Sequence, residues 1–333
     1  MKTCKSPTLF ILAMIASILV FLFCRPPQAE VKATVYRGIC DASAAVAVDA
    51  NHFVVANDED NILRFYRSGK SDFPLDTYNL NPYLQPDTDH PEADIEAAAR
   101  LGGQVYWITS HGTNKKGKYR SSRHRFFATR IRLENAAITV TPVGKPYAEL
   151  VNDLAGVPSL NDVNIKKAAT RRPTDDGGLN IEGLCATPDS ILLIGFRSPV
   201  PAGKALLLPL ENPFQVLHGE SPRFGKAIRL DLGGLGIRSI DYMVARKTYL
   251  IVAGPRNGTG AFKLYQWSGK PEQAAAWITN IDDACKPEAM ILCAGEKDNI
   301  QLLSDDGSQE VGGRECKKAE PENQRFRGFW ITL

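Results

Sequence analysis

The chain has 333 residues, 44% of them apolar and 23% charged, with 40 Lys and Arg against 37 Asp and Glu. That length is ample for one large single-core domain and does not require two. Removing residues 1–29 takes away Lys2, Lys5 and Arg25 and no acid, leaving 37 bases against 37 acids, and so neutral a body excludes a general nucleic-acid or membrane-surface binder.

The N-terminus carries Lys2 and Lys5, an uncharged apolar stretch over residues 9–23, and a polar Pro-rich segment ending at Ala29. This is the layout of a secretory signal peptide cleaved after Ala29, with an uncleaved inner-membrane anchor over residues 9–24 as the alternative. Phe21, Leu22 and Phe23 are too bulky to precede a lipid-modified Cys24. The protein is expected to be exported, periplasmic or secreted, with residues 30–333 as its folded domain. Five cysteines remain there: Cys40, Cys185, Cys285, Cys293 and Cys316. Their spacing is not that of a metal site; the pair expected to oxidise is Cys285 with Cys316, and Cys185 reads as a core residue.

Five segments then share one pattern: "CDASAAVAVDANHFVVANDEDN", "ADIEAAARLGGQVYWITSHG", "LNIEGLCATPDSILLIGFRSP", "IRSIDYMVARKTYLIVAGPRN" and "KPEAMILCAGEKDNIQLLSDDG". Each has an acidic head, a short small or apolar strand, a polar turn, and a second strand that reads as buried β by its length and its β-branched or aromatic content. The heads are Asp41, Glu96, Glu182, Asp241 and Glu288. From Glu96 to His111, Glu182 to Arg197 and Asp241 to Arg256 the offset is 15 residues, and from Asp41 to Asp58 and Glu288 to Asp305 it is 17. Head-to-head steps of 55, 86, 59 and 47 residues approach the ~40–50 residue period of propeller blades. The expected fold is all-β, a single β-propeller of six blades, with five or seven as alternatives; the 86-residue step holds insertions or a sixth, degenerate unit. "VKATVYRG" and "RFRGFWITL" read as strands that share one blade and close the ring, which removes an open sheet edge. "PYAELVNDLAGV" is at most a short surface helix, and "NIKKAATRRPTDDGG" reads as a loop.

In a propeller the first strand of each blade lines the central channel and the second runs antiparallel to it, so heads and second-strand turns share one face. Asp41, Asp58, Asp94, Asn180, Asp241 and Glu288 would ring one mouth and supply the oxygen ligands a hard cation such as Ca²⁺ takes. Glu96 and Glu182, with His111, are the candidate catalytic groups. Zn²⁺ lacks its usual His and Cys cluster. From Arg100 to Arg132 there is no acid, and Lys115 and Lys116 in that stretch, with Arg197 and Arg256, are the candidate contacts to an anionic ligand. The opposing reading is structural: acids capping backbone donors and lysines on a solvated loop. No G-x-S-x-G, P-loop or Rossmann glycine pattern is present.

On "CDASAAVAVD", "ANDEDNILRFY", "ADIEAAARLGGQVYWITSHGTNKKGK", "GGLNIEGL", "LIGFRSPVPAGKALLLPL", "LDLGGLGIRSIDY", "LIVAGP" and "QLLSDDG", spread over most of residues 36–307, the chain resembles a bacterial family of unassigned function, domain-of-unknown-function family 3616. More distantly, the D-I-E-[AG] heads are similar to those of calcium-dependent alkaline phytases and phytase-type esterase-like propellers. That resemblance implies six blades, Ca²⁺ at an acidic channel mouth, Asp41, Glu96, Glu182, Asp241 and Glu288 as metal or water-activating carboxylates, and Arg197 as a phosphate contact. The chain departs from it where the Asp-Asp-Pro opening those phytases is Asp41, Ala42, Ser43. The expected function is an exported, metal-dependent phosphoric-ester or other ester hydrolase acting on a small anionic ligand as a monomer. Lactone opening on the same scaffold is a further hydrolytic reading. The alternative is a non-catalytic propeller that binds such a ligand or an envelope protein partner.

Overall fold

The computed structural model describes residues 33–292 and 298–333; the expected export segment at residues 1–29 and Cys293 lie outside them. β1 (Ala33–Arg37) comes first. Blade one is β2 (Ala42–Ala47), β3 (His52–Asn57), β4 (Ile62–Arg67) and β5 (Asp76–Asn79). Blade two is β6 (Ile95–Leu101), β7 (Gln104–Thr109), β8 (Phe126–Glu134) and β9 (Ala137–Tyr147). Blade three is β10 (Asn180–Ala186), β11 (Leu192–Ser198), β12 (Ala205–Leu210) and β13 (Ile228–Leu230). Blade four is β14 (Gly236–Met243), β15 (Thr248–Gly254), β16 (Lys263–Trp267) and β17 (Ala276–Asn280). Blade five starts with β18 (Pro287–Ile291) and β19 (Asn299–Ser304); a small hairpin, β20 (Glu310–Val311) and β21 (Arg314–Glu315), precedes β22 (Arg325–Thr332). β22 pairs with β19 on one side and with β1 on the other, from Ala33↔Phe329 to Arg37↔Arg325. The two ends of the domain thus build one blade and close the ring, as their sequences predict. The inner strands β2, β6, β10, β14 and β18 meet in sequence and β18 returns to β2.

The blade count corrects the six-bladed expectation: the described residues form five four-stranded blades. The long step between the second and third heads contains no sixth sheet. It holds the β8–β9 hairpin and then the helices Leu150–Leu154 and Ile165–Ala168. Leu150, Leu154, Ile165 and Ala168 are buried with the core of blades two and three, so the first helix is more than a surface element and the second interrupts the expected loop.

The core is five layers, one between each pair of neighbouring blades. A strand with both faces covered must be apolar at successive positions, which is why the second strands read as continuous runs. In β11, Leu192, Ile194 and Phe196 face blade two while Leu193 faces blade four. In β7, Tyr106 and Ile108 face blade three while Val105 and Trp107 face blade one. Trp107 is fully buried because its indole N–H has a partner, Thr129 Oγ1 at 3.0 Å.

The disulfide is Cys40–Cys316, with the Cα atoms 5.9 Å apart and the two cysteines separated by 276 positions in sequence. This corrects the Cys285–Cys316 expectation: the excursion between β19 and β22 brings Cys316 back over blade one, while Cys285 is a buried free thiol, as is Cys185 in the core between blades three and four. Such a bond persists in oxidising compartments, in keeping with an exported chain. No helix among the described residues is long and apolar enough to cross a membrane.

Candidate functional site: the acidic mouth of the channel

All five inner strands open on the same irregularity. Their pairing with the second strand slips between Ala42 and Ala44, Ile95 and Ala97, Ile181 and Gly183, Ile237 and Ser239, and Pro287 and Ala289. A β-bulge of this kind adds a residue to one strand and re-aims its side chain. The added residues are Ser43, Glu96, Glu182, Arg238 and Glu288, all polar. Each is followed by a small residue, because the inner strands crowd together there. A Cβ on Gly183 would stand 2.9 Å from Gly195 Cα and 3.0 Å from Ile237 Cγ2. The bore that Ser43, Glu96, Asp241 and Glu288 line keeps only about 10 Å³ of free space, room for about one water. Any larger ligand must act at the mouth.

Cations sit between the acids of the ring. Arg238 Nη1 lies 2.9 Å from Glu182 Oε2, and its Nη2 pairs with Glu288. Arg197 Nη1 and Asn180 Nδ2 each donate to Glu182 Oε1 at 2.7 Å. On the other side Arg123 pairs with Asp94 at 2.8 Å and with Glu92. Asp94 adopts φ 59°, a left-handed conformation that Asp tolerates better than most residues. Glu96 differs from these acids: among the described residues its carboxylate has neither hydrogen bond nor ion pair. Burial, and then the charges of Glu182, Asp94 and Glu288, hold it well above the usual carboxylate range. Burial likewise pushes Glu288 up to about 8 despite Arg238.

A second cluster adjoins the ring. Asp41, Asp58 and Glu59 each offer a carboxylate oxygen within 4.8 Å of the other two. Asp58 Oδ1 is sealed from solvent and has no hydrogen-bond partner. Burial raises Asp58 well above its ordinary range, with Asp41 next. Asp41 is pushed up to about 8 by burial, then by its hydrogen bond and charge contact with Asp305. A cleft of about 440 Å³ opens over this cluster, lined by Asp41, Asn57, Glu59, Asp60, Lys115 and Lys317 among others. Oxygen donors, a surplus of negative charge and an orphaned buried carboxylate oxygen together suit a hard divalent cation.

The structure brings together Asp41, Asp58, Asp94, Glu96, Asn180, Glu182, Arg197 and Glu288, and sets Lys115 at the cleft. Asp241 is displaced: the repeat makes it the fourth head, but Arg238 takes that place. Asp241 lies three residues further along β14, lining the bore, with its carboxyl raised to about 7 by burial. His111 is fully buried with φ 54°; its Nδ1 is 2.8 Å from Thr109 O and its ring packs edge-on against His124. Burial, then His124, pushes its pKa down to about 3. Arg256 pairs with Asp176, and its carbonyl accepts from Arg197 Nε at 3.1 Å. Lys116 is exposed in a turn whose backbone is capped by Asn114 Oδ1. Sequence reasoning missed Arg238 and Lys317. The signal for Arg238 was present: an apolar residue, a polar one, then a small one recurs as Ile95-Glu96-Ala97, Ile181-Glu182-Gly183 and Ile237-Arg238-Ser239. Lys317 lies outside the repeat and has no such signal.

Fold and site together define a five-bladed β-propeller with a carboxylate-lined channel mouth. Residues 145–304, just under half of the chain, match the family described as "Protein of unknown function (DUF3616)". No curated protein sequence matches the chain. Among solved structures it is similar to the glutaminyl cyclase of Myxococcus xanthus, at 10% identity and TM-score 0.45, covering 91% of this chain and 96% of that one. It is also similar to the PQQ-bound form of aldose sugar dehydrogenase from Streptomyces coelicolor, at 12% identity and TM-score 0.44, covering 90% and 98%.

Proposed function

We propose that this is an exported, metal-dependent hydrolase of phosphoric or other esters that works at the mouth of its channel. The observation that carries the reading is the Asp41, Asp58 and Glu59 cluster with its orphaned Asp58 Oδ1. These residues would hold Ca²⁺, which supplies Lewis-acid polarisation of an ester oxygen when bound. Glu96 is the general base: its unpartnered carboxylate is free to take the proton of an attacking water, and burial with its acidic neighbours raises its affinity for that proton. Glu182 is a positioning group, held by Arg197, Arg238 and Asn180. Arg197 faces developing negative charge, and Lys115 draws the anion to the cleft.

The second reading, a non-catalytic propeller that binds a small anionic ligand or an envelope protein partner, also has a specific support. Arg123, Arg197 and Arg238 neutralise Asp94, Glu182 and Glu288, so much of the ring is balanced internally. Phosphate release from phytate and simple phosphoesters, with added Ca²⁺ or a chelator, separates the two. Calcium-dependent release that Glu96→Gln abolishes without unfolding supports the hydrolase. A folded protein that binds Ca²⁺ yet releases nothing from esters of either kind supports the binding module.

A further inference from the structure

We propose that Lys317 is the resident counter-cation of the Asp41, Asp58 and Glu59 cluster, and that a divalent cation enters by displacing it. The inference rests on the cation-site reading above. Lys317 Nζ lies 3.2 Å from Glu59 Oε1, and among the described residues this is the one ion pair that any of the three acids makes. Burial works against its charge, but Glu59, Asp41 and Asp58 outweigh burial and raise its proton affinity.

The backbone puts it there. Cys40 precedes Asp41, Cys316 precedes Lys317, and the two cysteines are bonded, so one crosslink holds the segment carrying Lys317 beside the one carrying Asp41, and both line the cleft. The Cys316 N–H donates to Gln309 O at 2.7 Å and the Lys317 N–H to Gly307 O at 3.3 Å. Gly307 is bare where the Asp41 carboxylate sits, and a Cβ there would collide with it. Asp41 keeps a second hold, since the Asp306 N–H donates to Cys40 O at 2.9 Å and Asp41 bridges to Asp305. Lys317 rides on the excursion that the crosslink ties down. An ammonium and a divalent ion cannot share three carboxylates at this range without strong mutual repulsion, whereas the flexible lysine stem can swing out into the cleft.

Ca²⁺ affinity measured calorimetrically at fixed pH on the whole mature protein tests this. Lys317→Met should bind Ca²⁺ about tenfold more tightly or better, and Lys317→Arg should bind like the wild type. Reducing the disulfide, or replacing both cysteines with Ser, should move the wild type toward the Met variant and leave the Met variant unchanged. Equal or weaker binding by Lys317→Met overturns the proposal while leaving the cation site standing. An equal effect of reduction on both proteins overturns the role of the crosslink. If neither protein binds Ca²⁺, the cation-site reading falls and this inference with it.

Discussion

Replacing Arg238 with Met removes the guanidinium that bridges Glu182 and Glu288 and stands over the Phe262 ring, 5.7 Å from its centroid, while keeping most of the aliphatic stem. The loss is then mainly electrostatic: two buried carboxylates face each other with one cation fewer. Breaking a buried pair by deleting one partner costs about 3–5 kcal/mol. At about 2 °C per kcal/mol for a domain of this size, Tm should fall by roughly 6–10 °C. The sign of the pH dependence follows from Glu288. Its folded-state pKa stands at about 8 even with Arg238 lowering it, so without Arg238 it rises further. A carboxyl with a raised folded-state pKa contributes stability that is present at low pH and is lost as pH rises through that value. The Tm deficit should therefore be smaller at pH 5 than at pH 8.5, and Glu288→Gln in the Met background should recover part of it. Scanning calorimetry of the four proteins in the cycle, with a chelator present, reads this directly. A deficit that does not vary with pH, or no deficit at all, would refute the argument that Arg238 balances the ring.

Other outcomes follow from the same geometry. Gly307→Ala should push the Asp41 carboxylate out of its seat and weaken Ca²⁺ binding about tenfold or more, measured by calorimetry, with far-UV circular dichroism unchanged. In chelator, the wild-type Tm should fall as pH rises from about 4 to about 8, because folded Asp41, raised to about 8, holds a proton that the unfolded chain releases. Saturating Ca²⁺ should flatten that slope by favouring the ionised form, and a slope unchanged by Ca²⁺ would count against the cation site. Glu96→Gln, which removes a charge that has no partner, should leave Tm unchanged or raise it by a few degrees while abolishing ester turnover. Deleting the Cys40–Cys316 bond in a Cys→Ser double variant should cost about 2–5 kcal/mol of stability, read from thermal unfolding of oxidised wild type beside the variant.

Much of this fold was legible because a propeller repeats its physics. Runs such as ILLIGF are apolar at every position because each blade is covered on both faces. The terminal segments read as strands because they had to pair with each other to close the ring. The blade count was harder, since the distance between heads says how much chain intervenes and not whether it folds into a sheet; here Leu150 and Leu154 spend that chain on a helix that packs into the core. Connectivity of the cysteines is not encoded in their spacing, and only the excursion after β19 shows why Cys316 reaches Cys40.

The fourth head shows what decides the site. Defined by charge, the repeat points to Asp241; defined by packing, it points to Arg238, because the crowded inner strands demand a small residue directly after each bulge and leave the bulge residue free in kind. The same backbone device can therefore present Ser43, three glutamates or an arginine without changing the fold, and the ring's chemistry is set by which side chains occupy those five places. With Arg238 in the ring, Glu182 and Glu288 become its partners and Glu96 is left unpaired, so one substitution among five equivalent positions separates paired acids from an unpaired one. Burial and its acidic neighbours raise the proton affinity of Glu96, so it adds to the fall of Tm with rising pH in chelator; Glu96→Arg should convert the ring to a balanced one, with Tm holding or rising at neutral pH while turnover disappears and that slope becomes shallower. A variant that lost turnover but kept the full pH slope of the wild type in chelator would exclude Glu96 from that slope and leave it to Asp41, Asp58 and Glu288.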